Sequence, residues 1–119
     1  MGAWGTGIFD DDTTCDVKDG FIDYIEEGLS SKKAATIILD EYLEEFHPEE
    51  DFEVMSLVYI GLAAVQLENN CLVEDVRHLA IQSIDRGADL ELWEEADEDD
   101  YLARKKELEE LKQKLLEVG

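Results

Sequence analysis

The sequence predicts an all-α, single-domain bundle of about five helices, and three observations carry that expectation. The first is residues 52–67, FEVMSLVYIGLAAVQL, which hold one charge, Glu53, in a chain of which 35% of residues are charged. Apolar side chains cover nearly every face of that stretch, so it predicts a central helix enclosed by its neighbours. The second is that the flanking stretches repeat apolar residues at helical spacing, with no strand-period alternation of useful length. The third is size: 119 residues make one domain, and a hydrophobic fraction of 45% supports a core with the acids outside.

Residues 1–12, MGAWGTGIFDDD, form an N-terminal arm in which Gly2, Gly5 and Gly7 surround Trp4. Trp4, Ile8 and Phe9 gain nothing from water, so the arm is expected to fold back onto the bundle, with Asp10, Asp11 or Asp12 capping the first helix. That helix is expected over about 13–27, with Val17, Phe21, Tyr24 and Ile25 inward and Gly28 ending it. Gly20 lies inside it at a cost of about 1 kcal/mol relative to Ala, which predicts close approach of another backbone. Ser30 or Ser31 caps a second helix over about 32–46, with Ala35, Ile38, Leu39, Tyr42 and Phe46 inward and His47-Pro48 stopping it.

Glu49, Glu50 and Asp51 complement the dipole of the central helix, and Asn69-Asn70 closes it. A fourth helix fits about 73–86, with Val73, Val76, Ala80, Ile81 and Ile84 inward and Gly87 at its end. The connector 88–93, with Leu90, Leu92 and Trp93, is expected to close one end of the bundle. An acidic run over 94–100 leads into the last helix, about 98–118, whose seam is Tyr101, Leu108, Leu111, Leu115 and Val118. That seam can lie on the bundle or pair two protomers as a homodimer.

Thirty-two Asp and Glu against ten Lys and Arg give a net charge of −22. A field of that sign repels nucleic acid and anionic membrane and attracts a basic protein. Five of the ten cations, Arg104, Lys105, Lys106, Lys112 and Lys114, fall on the last helix. The longest apolar run, Leu57 to Val65, is far short of a bilayer span, and no basic segment follows Met1, so a cytoplasmic location is expected. Cys15 and Cys71 lack metal or disulfide spacing and read as reduced thiols.

Catalytic chemistry has one candidate. Glu44-x-x-His47 and Asp75-x-x-His78 contain the only two histidines, and helical bundles can hold metals on inward Glu-x-x-His pairs. Acids are so frequent that one three residues before each His carries little information, and His47 precedes a proline. Neither a phosphate-binding glycine loop nor a calcium loop is present, since GAWGTG has no strand before it and Asp10, Asp11, Asp12 and Asp16 lack calcium-loop spacing. No cofactor is indicated. Trp4 and Trp93 read as core.

The opening Met1-Gly2-Ala3-Trp4-Gly5-Thr6-Gly7-Ile8-Phe9-Asp10, with Asp12 and Asp16 behind it, resembles the bacterial family called domain of unknown function 4259, whose members begin MGAWGxGxFxNDxAxD. Residues 90–115, LELWEEADEDDYLARKKELEELKQKL, are similar to that family's closing segment. Asp11 stands where the family commonly has Asn, and the first helix lacks the family's frequent Trp. The resemblance implies a small bacterial cytoplasmic helical protein and brings no catalytic residues, cofactor or partner with it.

The functional expectation is a non-enzymatic, acidic protein-interaction module, immunity- or inhibitor-like toward a basic partner. Its candidate surface is Glu94, Glu95, Asp97, Glu98, Asp99 and Asp100. The alternatives are a metal-dependent enzyme using Glu44, His47, Asp75 and His78, and a structural protein with no dedicated partner.

Overall fold

In the computed structural model the described residues are 12–47, 49–87, 94 and 97–117. They form five helices: α1 (Asp12–Glu26), α2 (Ser31–Glu45), α3 (Phe52–Glu68), α4 (Glu74–Asp85) and α5 (Glu98–Glu117). No strand occurs among the described residues. The arm before Asp12, the connector 88–93 and Val118 lie outside them, and so does the packing expected of Trp4, Leu90 and Trp93.

Helix α3 is the hub, because it packs against all four other helices and most extensively against α1 and α4. Met55, Leu57, Val58, Ile60, Leu62, Ala63 and Val65 are all buried and point in every direction around its axis. A helix with no polar face must be surrounded, and this one is. Val17 and Phe21 from α1, Ala34, Ala35 and Ile38 from α2, Val76 and Ala80 from α4, and Leu108, Leu111 and Leu115 from α5 complete the core. The radius of gyration is 13.5 Å, as expected for one compact domain of this length.

Two helix ends show how the chain reverses. Gly28 (φ +99°) ends α1, where its amide donates to the Ile25 carbonyl at 3.0 Å and the Leu29 amide to Tyr24 at 3.1 Å. Asn70 (φ +55°) ends α3 in the same way, through Asn70 to Leu67 at 3.2 Å and Cys71 to Gln66 at 2.9 Å. This paired pattern satisfies carbonyls that a helix otherwise leaves bare, and it needs a left-handed residue. Glycine or asparagine at that position is therefore a readable stop signal.

Among the described residues the glycine that admits a neighbouring backbone is Gly61, and the N-terminal arm with Trp4, expected as the neighbour of Gly20, lies outside them. Around Gly20 the nearest atom of the described residues to an added Cβ is Ile38 Cδ1 at 4.0 Å, ordinary contact with a side chain. Gly61 in α3 is the true crossing point, where an added Cβ would lie 3.4 Å from Thr14 Cα, Cβ and Cγ2 of α1. Ile25, expected inward, is 37% exposed because it lies in the last turn of α1, past the crossing with α3.

The α5 seam is inside the protomer. Leu108, Leu111 and Leu115 are buried in the common core, and α5 packs on α4 and α3. Arg77 of α4 donates Nε–H to the Leu115 carbonyl at 2.6 Å, and Lys112 pairs with Asp85. Pairing of two protomers through this seam would require it to leave its own bundle. Arg104 occupies the seam position between Tyr101 and Leu108 and is 1% exposed, a buried cation that apolar patterning passes over.

Buried polar groups tie the loops to the hub. Gln66 is fully buried; its Oε1 accepts the Val73 amide at 3.1 Å, and its Nε2 donates to the Ser31 carbonyl at 3.5 Å. Ser31 Oγ in turn donates to the Cys71 carbonyl at 2.7 Å. One side chain of α3 thus fixes the start of α2 and the entry to α4. Gln66→Leu is expected to cost about 1–3 kcal/mol by stranding these partners, read as a lower denaturation midpoint with an unchanged m-value.

Candidate functional site

Among the described residues a cleft of about 320 Å³ lies between α1 and α2. Asp16, Val17, Gly20 and Tyr24 come from α1, and Ile38, Glu41, Tyr42 and Glu45 from α2. Each set follows helical spacing: 16, 17, 20 and 24 share one face of α1, and 38, 41, 42 and 45 share one face of α2. Val17 and Ile38 form the apolar floor where the two helices meet, while Gly20 keeps the floor free of a side chain.

The walls are aromatic and acidic. Tyr24 Oη donates to Glu41 Oε1 at 3.1 Å across the cleft. Tyr42 packs against Phe46 with ring centroids 6.3 Å apart, which holds its ring in place. None of the lining residues is basic. Tyr42 titrates above its usual range because burial disfavours the phenolate, and Asp16, Glu41 and Glu45 add repulsion. Tyr24 is also raised, first by its bond to Glu41.

Burial raises Tyr59 as well. These shifts have an alkaline consequence. Above the ordinary tyrosine value of 10.0 the unfolded chain loses phenolic protons that the folded chain keeps, so the unfolded state binds fewer protons and stability falls as pH rises. Urea midpoints are expected to drop on going above that pH. The Tyr42→Phe/Tyr59→Phe double variant should show a shallower drop, and an equal drop would assign the loss to other groups.

The residues singled out in the sequence fall in several places. Asp16 lines the cleft, whereas Asp12 is the first residue of α1. Gly2, Trp4, Gly5, Gly7, Phe9, Asp10 and Glu95 lie outside the described residues. Glu94, Asp97, Glu98, Asp99 and Asp100 are exposed, and the last three form the acidic first turn of α5, where they suit the helix dipole. They therefore have a local structural role whatever else they contact.

Glu44, His47, Asp75 and His78 are not gathered into a ligand set; no group of three or more His, Cys, Asp or Glu able to hold a metal ion occurs among the described residues. His47 shapes the α2–α3 turn: its Nδ1 accepts the Glu49 amide at 3.1 Å, and its own amide donates to Asp51 Oδ2 at 2.9 Å. His78 is exposed on α4, with Nε2 3.0 Å from Glu74 Oε1. Cys15 and Cys71 are free, half-buried thiols.

Sequence reasoning missed the cleft because Tyr24 and Tyr42 sit at core-periodic positions. It assigned them inward, and they are only half-buried. The signal available was the run of acids at Asp16, Glu41 and Glu45 next to those positions. No helix among the described residues is long and apolar enough to cross a membrane. No protein-family profile, curated protein or solved structure matches the chain.

Proposed function

We propose that the protein is a non-enzymatic interaction module whose acidic exterior receives a basic protein, in the manner of an immunity protein or inhibitor. One observation carries this reading. Most of the described apolar side chains of the five helices pack into the core around α3, with Ile25, Leu43, Leu102 and Leu116 the large exposed exceptions, while no Asp or Glu side chain described is buried, in a chain of net charge −22. The surface left for recognition is therefore overwhelmingly anionic, and it selects cationic partners by steering and complementarity.

The resemblance of residues 1–16 and 90–115 to domain of unknown function 4259 is part of the proposal and rests on those residues alone. It adds a bacterial origin and a cytoplasmic setting. Two surfaces are available to the partner: the acidic run from Glu94 to Asp100 and the α1–α2 cleft.

Capture from a bacterial lysate on the immobilised protein, washed at low and then high salt, tests the reading. A variant with Glu94, Glu95, Asp97, Glu98, Asp99 and Asp100 changed to their amides runs alongside. A single basic protein that survives high salt on the native chain and binds the variant more weakly is the expected result. Release of all bound basic proteins together at moderate salt would overturn it, because charges beyond a Debye length of about 8 Å are screened there.

A further inference from the structure

We propose that the link between α2 and α3 is a pH-sensitive device whose moving part is the His47 imidazole. The inference goes beyond the interaction-module reading and does not depend on it. The imidazole does the work of a helix N-cap: its Nδ1 accepts the Glu49 amide at 3.1 Å and the Glu50 amide at 3.4 Å, two and three residues ahead. The Asp51 amide donates to the His47 carbonyl at 2.8 Å and closes the turn. Asp51 Oδ2 returns the contact by accepting the His47 amide at 2.9 Å. The two side chains thus form a reciprocal box, of the kind that usually pairs Ser or Thr with Glu or Gln. Asp51 directly precedes α3 and makes no side-chain cap bond to it, so its carboxylate serves the turn.

A hydroxyl cap accepts at any ordinary pH, whereas an imidazole does not. Nδ1 can accept an amide only while it carries no proton, so the capped form is the neutral ring with its hydrogen on Nε2. Protonation sets an Nδ1–H against two amide N–H groups, and both bonds are lost. His47 is exposed among the described residues, so the ring can turn away without opening the core.

The released ring has anions to turn to. The charged groups described on the elements that meet here are Glu44 and Glu45 at the end of α2, Glu49, Glu50 and Asp51 in the turn, Glu53 in the first turn of α3, and Arg86 at the end of α4. The Arg86 guanidinium carbon lies 4.2 Å from the centroid of the Phe52 ring. The acids outnumber that one cation and attract a charged ring outside the cap, while the two amides need a bare nitrogen inside it. The neutral and charged rings therefore have different seats, and pH selects between them.

The helices on either side are held independently of the ring. The Phe46 amide donates to the Tyr42 carbonyl at 2.8 Å at the end of α2, and the Met55 amide to the Asp51 carbonyl at 3.0 Å at the start of α3. Loss of the cap accordingly frees the Glu49 and Glu50 amides to water and loosens the link alone. His78 is a built-in control: it is exposed on α4, and the contact of its Nε2 with Glu74 Oε1 at 3.0 Å survives protonation.

The test is a pH titration of the full chain from about pH 8 to about pH 5.5, above the ordinary carboxylate range, followed by NMR of the histidine ring nitrogens and the backbone amides. At about pH 8 the His47 ring should be the Nε2–H tautomer. On acidification the Glu49 and Glu50 amide shifts should move together with the ring. Their exchange protection, corrected for the intrinsic rate, should fall about fivefold or more, the effect of losing one cap. His47→Asn keeps an acceptor at every pH and should hold both amides constant, and His78→Gln should leave their titration as it is in the native chain. An Nδ1–H tautomer at about pH 8, amides that do not follow the ring, or the same amide titration in His47→Asn would each overturn the proposal. The tautomer and the amides are read in the native chain, so they decide the matter alone if a variant does not fold.

Discussion

Leucine at Gly61 is expected to lower stability by about 3 kcal/mol or to prevent folding, the cost of forcing extra atoms into a packed helix crossing. An added Cβ alone would already touch Thr14 Cα, and Thr14 is itself fully buried, so the remaining atoms have nowhere to go except between the two backbones. Relief requires α1 to move off α3, and that contact is the most extensive in the fold. The same substitution at Gly20, also in a helix interior, faces an open cleft and should change stability by less than about 1 kcal/mol. Urea denaturation followed by circular dichroism compares them, and a similar loss at both positions would refute the assignment of Gly61 as the crossing point.

Arg104→Glu is expected to abolish folding at ordinary temperature. Arg104 is 1% exposed on the α5 seam, and an anion there would be withdrawn from water inside a chain that already carries −22. An ionised carboxylate carried into that buried position costs on the order of several kcal/mol in desolvation, and the surrounding negative charge adds repulsion. Arg104→Met keeps much of the volume, packs apolar atoms between Tyr101 and Leu108, and should cost far less. Thermal unfolding of the two variants separates charge from volume. Equal, small effects in both would mean that Arg104 sits in a wetter setting than its burial indicates.

Most of the fold was legible in the sequence. Residues 52–67 announced the hub because an apolar helix without a polar face has to be enclosed. Gly28, Asn70 and Gly87 marked helix ends because a left-handed backbone favours few residue types. The interior of the seam was less legible. Arg104 occupies a position that heptad spacing assigns to the core, but its chemistry reads as surface, so only the packed structure reveals it. The close approach at Gly61 was missed for a related reason: spacing within a helix tells which residues share a face, not where along its length another helix crosses.

The cleft was harder still to read. It exists because Asp16, Gly20 and Tyr24 on one helix meet Glu41, Tyr42 and Glu45 on another, and that pairing depends on the turn at Gly28 and on both helices packing against α3. His47 shows the opposite case. Its place before a proline made it a weak metal candidate, and it shapes the turn into α3.

The central claim is that the exposed acids of the cleft, Asp16, Glu41 and Glu45, serve recognition and add little to the stability of the fold. The most direct measurement is thermal unfolding at low ionic strength of Asp16→Asn/Glu41→Gln/Glu45→Gln beside the native chain. Removing three of the negative charges relieves self-repulsion, and the amides keep similar shape, so the account predicts an equal or higher midpoint. It also predicts that added salt raises the midpoint of the native chain more than that of the variant. A midpoint several degrees lower in the variant, with no gain from salt in either protein, would contradict the claim and make these carboxylates part of the scaffold.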